Sequence, residues 1–146
     1  MPNPEKLNPE IWGPSYWLFL HTIAYGYPKY PNAVTKRKYY DLIQNIPLFI
    51  PNPEIGNKFS VMLDKYPVTP YLDNRDSFMR WVNFIHNKIN HLLGKDEISF
   101  YNSLDLYHME YLPKPVYLSE IIHIRQHLIH IAFILFCLIL IYIYYE

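Results

Sequence analysis

One cysteine, Cys137, stands among the 146 residues, and positive charge shows no excess over negative. A single thiol excludes an internal disulfide framework, a cysteine-rich zinc site and a self-contained CxxC redox centre. Thirteen Lys and Arg balance thirteen Asp and Glu. With no surplus cation to neutralise phosphates, nucleic-acid binding is set aside as the main task, and electrostatics names no partner. The opening Met1-Pro2-Asn3-Pro4-Glu5-Lys6 has no apolar run behind a basic stretch, so a secretory signal peptide is not expected. A chain of this length buries one modest core, which predicts one domain with appendages.

What the sequence has in quantity is apolar and aromatic character, 51% and 18% of its residues. Leu128 to Tyr145 contains one strongly polar side chain, His130. As a helix this stretch extends about 27 Å, close to the thickness of a bilayer core. It reads as a C-terminal transmembrane helix, with Tyr142, Tyr144 and Tyr145 as an aromatic belt at one end and Arg125 with histidines at the other. Lys114 and Arg125 both precede the span, so the positive-inside rule puts the rest of the chain on the cytosolic side of a single-pass anchor, in a viral or host internal membrane. A buried core helix or an oligomer-interface helix is the other reading of the run.

Before the anchor, apolar residues recur at helical spacing, and prolines and glycines fall between the periodic stretches. The fold class expected is all-α, a four-helix bundle with a short fifth helix. Helix one should run from Pro9 or Glu10 to Tyr25, capped by Asn8 and stopped at Gly26. Helix two should cover Thr35 to Asn45 and end at Pro47. Ile55, Phe59, Met62 and Leu63 mark a short third helix ending before Pro67. In the fourth, Asp73 or Asn74 is the cap, Phe78, Val82, Ile85, Ile89 and Leu92 form the buried face, and Gly94 ends it. A shorter helix spans Glu97 to Tyr107. The expected division is 1–111 as the helical domain, 112–118 as a stiff spacer containing Pro113 and Pro115, and 119–146 as the anchoring helix.

Trp17 and His21 lie one turn apart on helix one, and His86 and Asn90 one turn apart on helix four, so each pair shares a face. A bundle that brought the faces together would offer rings for stacking and imidazole and carboxamide hydrogen bonds, which suits a planar aromatic cofactor better than a metal. Aromatics and histidines on helices also serve as ordinary satisfied core residues, and spacing alone leaves both readings open.

Trp12-Gly13-Pro14-Ser15-Tyr16-Trp17-Leu18-Phe19-Leu20-His21-Thr22-Ile23-Ala24, followed by Tyr27-Pro28, resembles the opening helix of the Erv/ALR sulfhydryl oxidases, including members carried by large DNA viruses. Trp81-Val82-Asn83-Phe84-Ile85-His86-Asn87-Lys88-Ile89-Asn90-His91-Leu92-Leu93-Gly94-Lys95 resembles the same family's W…HNxVNxxLGK segment. The resemblance covers about residues 11 to 110. It implies a small helical bundle holding FAD, usually as a homodimer, with Trp17, His21, Trp81, His86, Asn87, Asn90 and Lys95 at matched cofactor positions. Trp17 and His21 would line the cofactor from the first helix, the HN…N…K positions would contact its adenine and phosphate portions, and Lys88 would assist Lys95.

The family's reaction passes two electrons from a dithiol through a CxxC beside the flavin to oxygen, giving hydrogen peroxide. Here Pro51-Asn52-Pro53-Glu54-Ile55-Gly56-Asn57-Lys58-Phe59 fills the corresponding stretch, with Glu54 and Asn57 at the approximate cysteine positions. Neither a carboxylate nor a carboxamide replaces a thiolate, so no catalytic residue is assigned. Cys137, within the apolar span, is read as a small hydrophobe. His123, His127 and His130 share a helix face, as interfacial or packing residues in preference to metal ligands, and no metal is expected. Asp73, Arg75 and Asp76 are read as capping and surface pairing, Lys36, Arg37 and Lys38 as a solvated face that also suits acidic lipid heads, and Tyr39 and Tyr40 as residues that suit a dimer face. Two function classes stand at this point. One is a membrane-anchored, FAD-binding sulfhydryl oxidase relative whose dithiol comes from a thiol protein partner or whose flavin takes electrons directly. The other is a catalytically inactive scaffold, in a virion membrane or as heterodimer partner of an active oxidase.

Overall fold

The computed structural model describes residues 7–113 and 118–146, with 118–123 as backbone only. Among the described residues there are six α-helices and no strand: α1 Pro9–Tyr25, α2 Ala33–Phe49, α3 Pro53–Lys65, α4 Arg75–Leu92, α5 Phe100–Glu110 and α6 Leu118–Tyr145, with one 3-10 turn at Thr69–Tyr71. The chain divides into two compact units, the first ending at His108 and the second beginning at Met109.

Asparagine starts four of the helices of the first unit. Asn8, Asn32, Asn52 and Asn74 each sit in extended backbone and accept a hydrogen bond from a first-turn amide, of Glu10, Thr35, Ile55 and Ser77 respectively. Each thereby satisfies an N–H that has no partner inside its helix. Gly94 closes α4 at a φ of 67°, a left-handed conformation that only glycine adopts without strain, and the Lys95 amide returns 2.8 Å to the Asn90 carbonyl.

Three sequence expectations are corrected. Prolines do enter the helices, at Pro14 in α1 and Pro47 in α2. Proline loses one hydrogen bond but its fixed φ is helical, so α2 runs on to Phe49 before Ile50 leaves in extended backbone. The short fifth helix begins at Phe100 and not at Glu97. The reason is tertiary: Asn87 takes both backbone groups of Ile98, donating 2.8 Å to its carbonyl and accepting 3.0 Å from its amide, and Asn83 donates to the same carbonyl at 3.4 Å. Ser99 then caps α5 by accepting from the Asn102 amide at 3.2 Å. Leu92 was expected on the buried face of α4, yet it is 66% exposed because it falls in the last turn, beyond the packed part of the helix.

The core forms where α1 packs on α4 and α2 packs on α3. Leu20, Ala24, Ile43, Ile46, Phe59, Leu63, Phe78, Val82 and Ile85 fill it. Tyr27 is fully buried, with its hydroxyl donating 2.8 Å to the Leu72 carbonyl and Tyr39 and Phe78 meeting its ring edge to face. Gly56 allows the closest backbone approach. A Cβ there would lie 2.6 Å from the Pro47 carbonyl oxygen, so the start of α3 rests directly on the end of α2.

In the second unit, Ile124–Tyr145 is 22 residues of helix, long and apolar enough to cross a membrane. Within it the His130 imidazole and the Gln126 carbonyl are 2.7 Å apart. The side chain of His123 and part of the proposed 112–118 spacer, residues 114–117, lie outside the described residues.

Candidate functional site

The faces of α1 and α4 singled out in the sequence do meet. Trp17 and His86 stack with ring centroids 4.0 Å apart and planes within 10°. His21 Nε2 and His86 Nδ1 lie 3.2 Å apart. Across α1, Tyr107 of α5 stacks on His21 at 4.0 Å with planes 20° apart. The result is a continuous row of rings, Trp17, His86, His21 and Tyr107: two stacked pairs joined by one imidazole hydrogen bond. Phe59 of α3 closes the Trp17 end edge to face at 6.5 Å.

Burial sets the protonation of this row. His21, 9% exposed, is pushed down to about 3 by burial and then by the neighbouring His86. His86 is pushed down to about 4 by burial and then by the Lys95 charge. Both imidazoles are therefore neutral at pH 7. A neutral imidazole carries one proton, so one ring donates in the His21–His86 bond and the other accepts. Whichever tautomer holds, the two remaining nitrogens comprise one donor and one acceptor. Burial raises the Tyr107 phenol to about 12, which keeps it a neutral donor.

Asn90 follows His86 by one turn on the same face of α4. It is 7% exposed, and its carboxamide makes no hydrogen bond to any described residue. No buried side-chain polar atom of the described residues lacks a partner, so the Asn90 amide atoms reach the accessible surface, where they have unused donors and an unused acceptor one turn along α4 from His86. Lys95 is exposed and near enough to bias His86, and no carboxylate among the described residues pairs with it.

The other sequence candidates make contacts away from the ring row. Trp81 is 3% exposed in the core, where its indole N–H donates 3.1 Å to the Tyr66 carbonyl and its ring lies against Phe78. The Asn87 carboxamide is occupied by Ile98, and Lys88 places its ammonium 5.2 Å from the Phe84 ring centre. Tyr107 was missed because α5 is short and weakly patterned. Its aromatic character was the one available signal. Among the described residues no group of three His, Cys, Asp or Glu has the arrangement to hold a metal ion. A separate groove of about 530 Å³, lined by Tyr25, Lys29, Tyr30, Asn74, Arg75, Asp76 and Met79, shares no residue with the ring row.

At the start of α3, where the resemblance places two cysteines, Glu54 is fully exposed and bonded to Lys58 at 2.6 Å, a contact that holds its carboxyl below the usual range. Asn57 is exposed beside it. The one thiol of the chain, Cys137, is on α6.

Comparison with known proteins agrees with this architecture. The family model described as the Erv1 / Alr family matches residues 14–108. A probable FAD-linked sulfhydryl oxidase of Acanthamoeba polyphaga mimivirus is 29% identical over 74% of this chain and 76% of its own length. The FAD-linked sulfhydryl oxidase of African swine fever virus is 30% identical over 69% of this chain and 83% of its own. The mitochondrial FAD-linked sulfhydryl oxidase of Schizosaccharomyces pombe is 31% identical over 57% of this chain, which spans 46% of the length of that relative. Among solved structures, the FAD binding domain of Erv1 from Saccharomyces cerevisiae superposes with a TM-score of 0.61 at 24% identity, covering 65% of this chain and 89% of that one.

Proposed function

The chain belongs to the Erv1 / Alr family, and from that premise we propose that it is a membrane-tethered, FAD-binding relative of the sulfhydryl oxidases whose own residues hold the cofactor but do not supply the dithiol. The observation that carries the proposal is the ring row with the accessible, uncommitted Asn90 carboxamide one turn from His86, standing in a chain that has no thiol at the start of α3.

These residues fit a flavin nucleotide. Trp17 and His86 are already in contact at 4.0 Å, so a heterocycle would be received against the edges and outer faces of the row and not between its members. The neutral His21–His86 pair has one donor and one acceptor left, and Asn90 has two donors and an acceptor, a set that matches the mixed edges of a heterocycle. Lys95 supplies a free cation of the kind a pyrophosphate needs. Trp81, held in the core, and Asn87, which pins the segment carrying Lys95, support this site from behind.

Bound there, FAD would supply a two-electron acceptor able to pass electrons on to oxygen. The protein's part is to bind it, orient it and surround it with neutral, partly dehydrated groups. Thiols must come from elsewhere: two thiols of a second polypeptide would lose two electrons and two protons as their S–S bond forms, and one O2 would become H2O2. The apolar run Ile124–Tyr145 favours tethering at a membrane, where local concentration assists encounter with such a partner or with a second copy of this chain.

The test is the visible spectrum of the purified full chain in detergent, followed by oxygen consumption with a small dithiol. A flavin band with little turnover is expected, because a small dithiol is not held beside the flavin as the thiols of a docked partner polypeptide would be. Turnover at rates typical of an oxidase would overturn the need for a partner dithiol. A folded, colourless protein that takes up no added FAD would overturn the pocket itself.

A further inference from the structure

We propose that the end of α5 and the turn after it, residues 106–112, form a second membrane contact of this chain, an apolar stripe that lies among the headgroups of the bilayer that Ile124–Tyr145 crosses. The proposal rests on the membrane-tethered reading above and names a surface that meets lipid outside the span.

The two sides of α5 differ in character. Ser103 is buried and Tyr107 stacks on His21, so these residues mark the inner side. Leu106, Met109 and Leu112 recur every third residue on the other side, and the Leu112 amide donates 3.3 Å to the Met109 carbonyl, a turn that keeps Leu112 in line with the helix. The three are 52%, 65% and 61% exposed, with no described residue covering them. Asn102 and Asp105 come earlier on that side, so the apolar stripe is confined to the end of α5 that leads to the anchor. Tyr111, also exposed, adds a ring with an apolar body and a polar tip, the kind of side chain enriched where hydrocarbon meets headgroups. In sequence, Lys114 follows as a cation suited to lipid phosphate, against the single carboxylate of Glu110.

The covalent connection commits this stripe to lipid. From Leu112 to the start of α6 at Leu118 the chain extends at most about 22 Å, and the helix before the apolar span, residues 118–124, rises about 9 Å. The stripe therefore never leaves a zone about 30 Å from the start of the span. Three apolar side chains hold a free protein on a bilayer only weakly, but on a short tether each return is intramolecular and occurs at a high effective concentration. Lipid is present at every return, whereas a protein partner has to diffuse there.

The experiment uses the full chain in phosphatidylcholine vesicles, with Cys137→Ser removing the native thiol and one nitroxide label at a time on Leu106→Cys, Met109→Cys, Leu112→Cys, Val61→Cys or Ile134→Cys. Collision of the label with oxygen, which concentrates in lipid, is read against collision with a water-soluble nickel chelate. Val61 is 67% exposed on α3 and gives the water reference, and Ile134 lies within the span and gives the lipid reference. Labels at 109 and 112 should shift in favour of oxygen relative to Val61→Cys, by less than Ile134→Cys, with 106 shifted least of the three. If 109 and 112 match Val61→Cys while Ile134→Cys reports lipid, the stripe stays in water and the inference is overturned with the span intact. Shielding of 109 and 112 from both reagents would also overturn it, by assigning the stripe to contact with protein, such as a second copy of this chain. An Ile134→Cys label as open to nickel as Val61→Cys would refute the membrane span itself and take the inference with it.

Discussion

Mild acid should unfold the first unit through the histidine pair. In the unfolded chain both imidazoles titrate near the ordinary imidazole value of 6.5, whereas in the fold they are held at about 3 and about 4. Their folded values are depressed, so as pH falls below 6.5 the unfolded state takes up protons that the folded state refuses. Stability from this source is complete above about pH 7. It declines between pH 6.5 and 4, and the slope levels only as the folded rings themselves protonate. With about 1.36 kcal/mol per pH unit per group, the descent from 6.5 to 5 removes about 2 kcal/mol for each ring and about 4 kcal/mol together. Against a total of roughly 5–15 kcal/mol for a domain, that is a large fraction. For a unit of this size it corresponds to a fall of roughly 15–30 °C in melting temperature. The assay is thermal unfolding of the full chain in detergent at pH 7.5, 6.0 and 5.0, followed by tryptophan fluorescence, alongside the double variant His21→Leu/His86→Leu. Replacing both partners of a buried hydrogen bond by apolar groups of similar size is nearly neutral at pH 7.5, so the variant serves as a non-titrating reference and should be almost flat across the window. A wild type that loses less than about 3 °C by pH 5, or a double variant that falls as steeply as wild type, would refute the reasoning.

Two further outcomes follow from backbone contacts. Gly56→Ala places a methyl 2.6 Å from the Pro47 carbonyl oxygen, a backbone atom that cannot swing aside, so α2 and α3 must separate; we expect a loss of about 1–3 kcal/mol by chemical denaturation, and a neutral result would contradict the close approach. Asn87→Ala strips two of the three side-chain hydrogen bonds that hold Ile98, leaving the 3.4 Å bond from Asn83, and should cost about 2–4 kcal/mol. It should also raise amide hydrogen exchange selectively in residues 95–99, and unchanged exchange there would remove the clasp from the account of how α5 is placed.

How legible the fold was in the sequence depends on the range of the interaction that fixed each element. Asn8 and Asn74 before apolar periodicity, and Gly94 after it, are local signals, and α1 and α4 begin and end where those residues say. Pro47 misleads because a proline removes a hydrogen bond without removing helical φ, and α3 supports the continued helix from the outside through Gly56. The start of α5 was not legible at all, since the residue that delays it, Asn87, lies 11 positions earlier on another helix. The site divides in the same manner. Helical spacing placed Trp17 with His21 and His86 with Asn90, and packing of α1 on α4 joined them. Tyr107 required knowledge of where α5 docks. Trp81, although part of a matched motif, makes its one polar contact with Tyr66 in the core, and no periodicity distinguishes a tryptophan that lines a cofactor from one that supports the helix behind it.

A chain without cysteines at the start of α3 still forms the ring row, because different parts of α3 govern the two. The positions that the resemblance gives to the redox pair, Glu54 and Asn57, lie in exposed first turns of the helix. What holds α3 in place is elsewhere. Asn52 caps it, Gly56 lets it rest on the Pro47 carbonyl, and Phe59, Met62 and Leu63 bury its apolar face. Phe59 also reaches the edge of Trp17, so the ring row is supported by α3 without using the first-turn side chains. Glu54 there does ordinary helix-start chemistry: a carboxylate in the first turn complements the helix dipole and pairs with Lys58 one turn on. Exchange of two thiols for such residues removes a reactive group without opening a cavity or stranding a buried polar atom. Such a fold loses its redox pair at little cost in stability, whereas loss of His86 would unstack Trp17 and leave His21 without its hydrogen-bond partner in a site only 9% exposed. That asymmetry makes the ring row, and not the start of α3, the less tolerant of single substitutions.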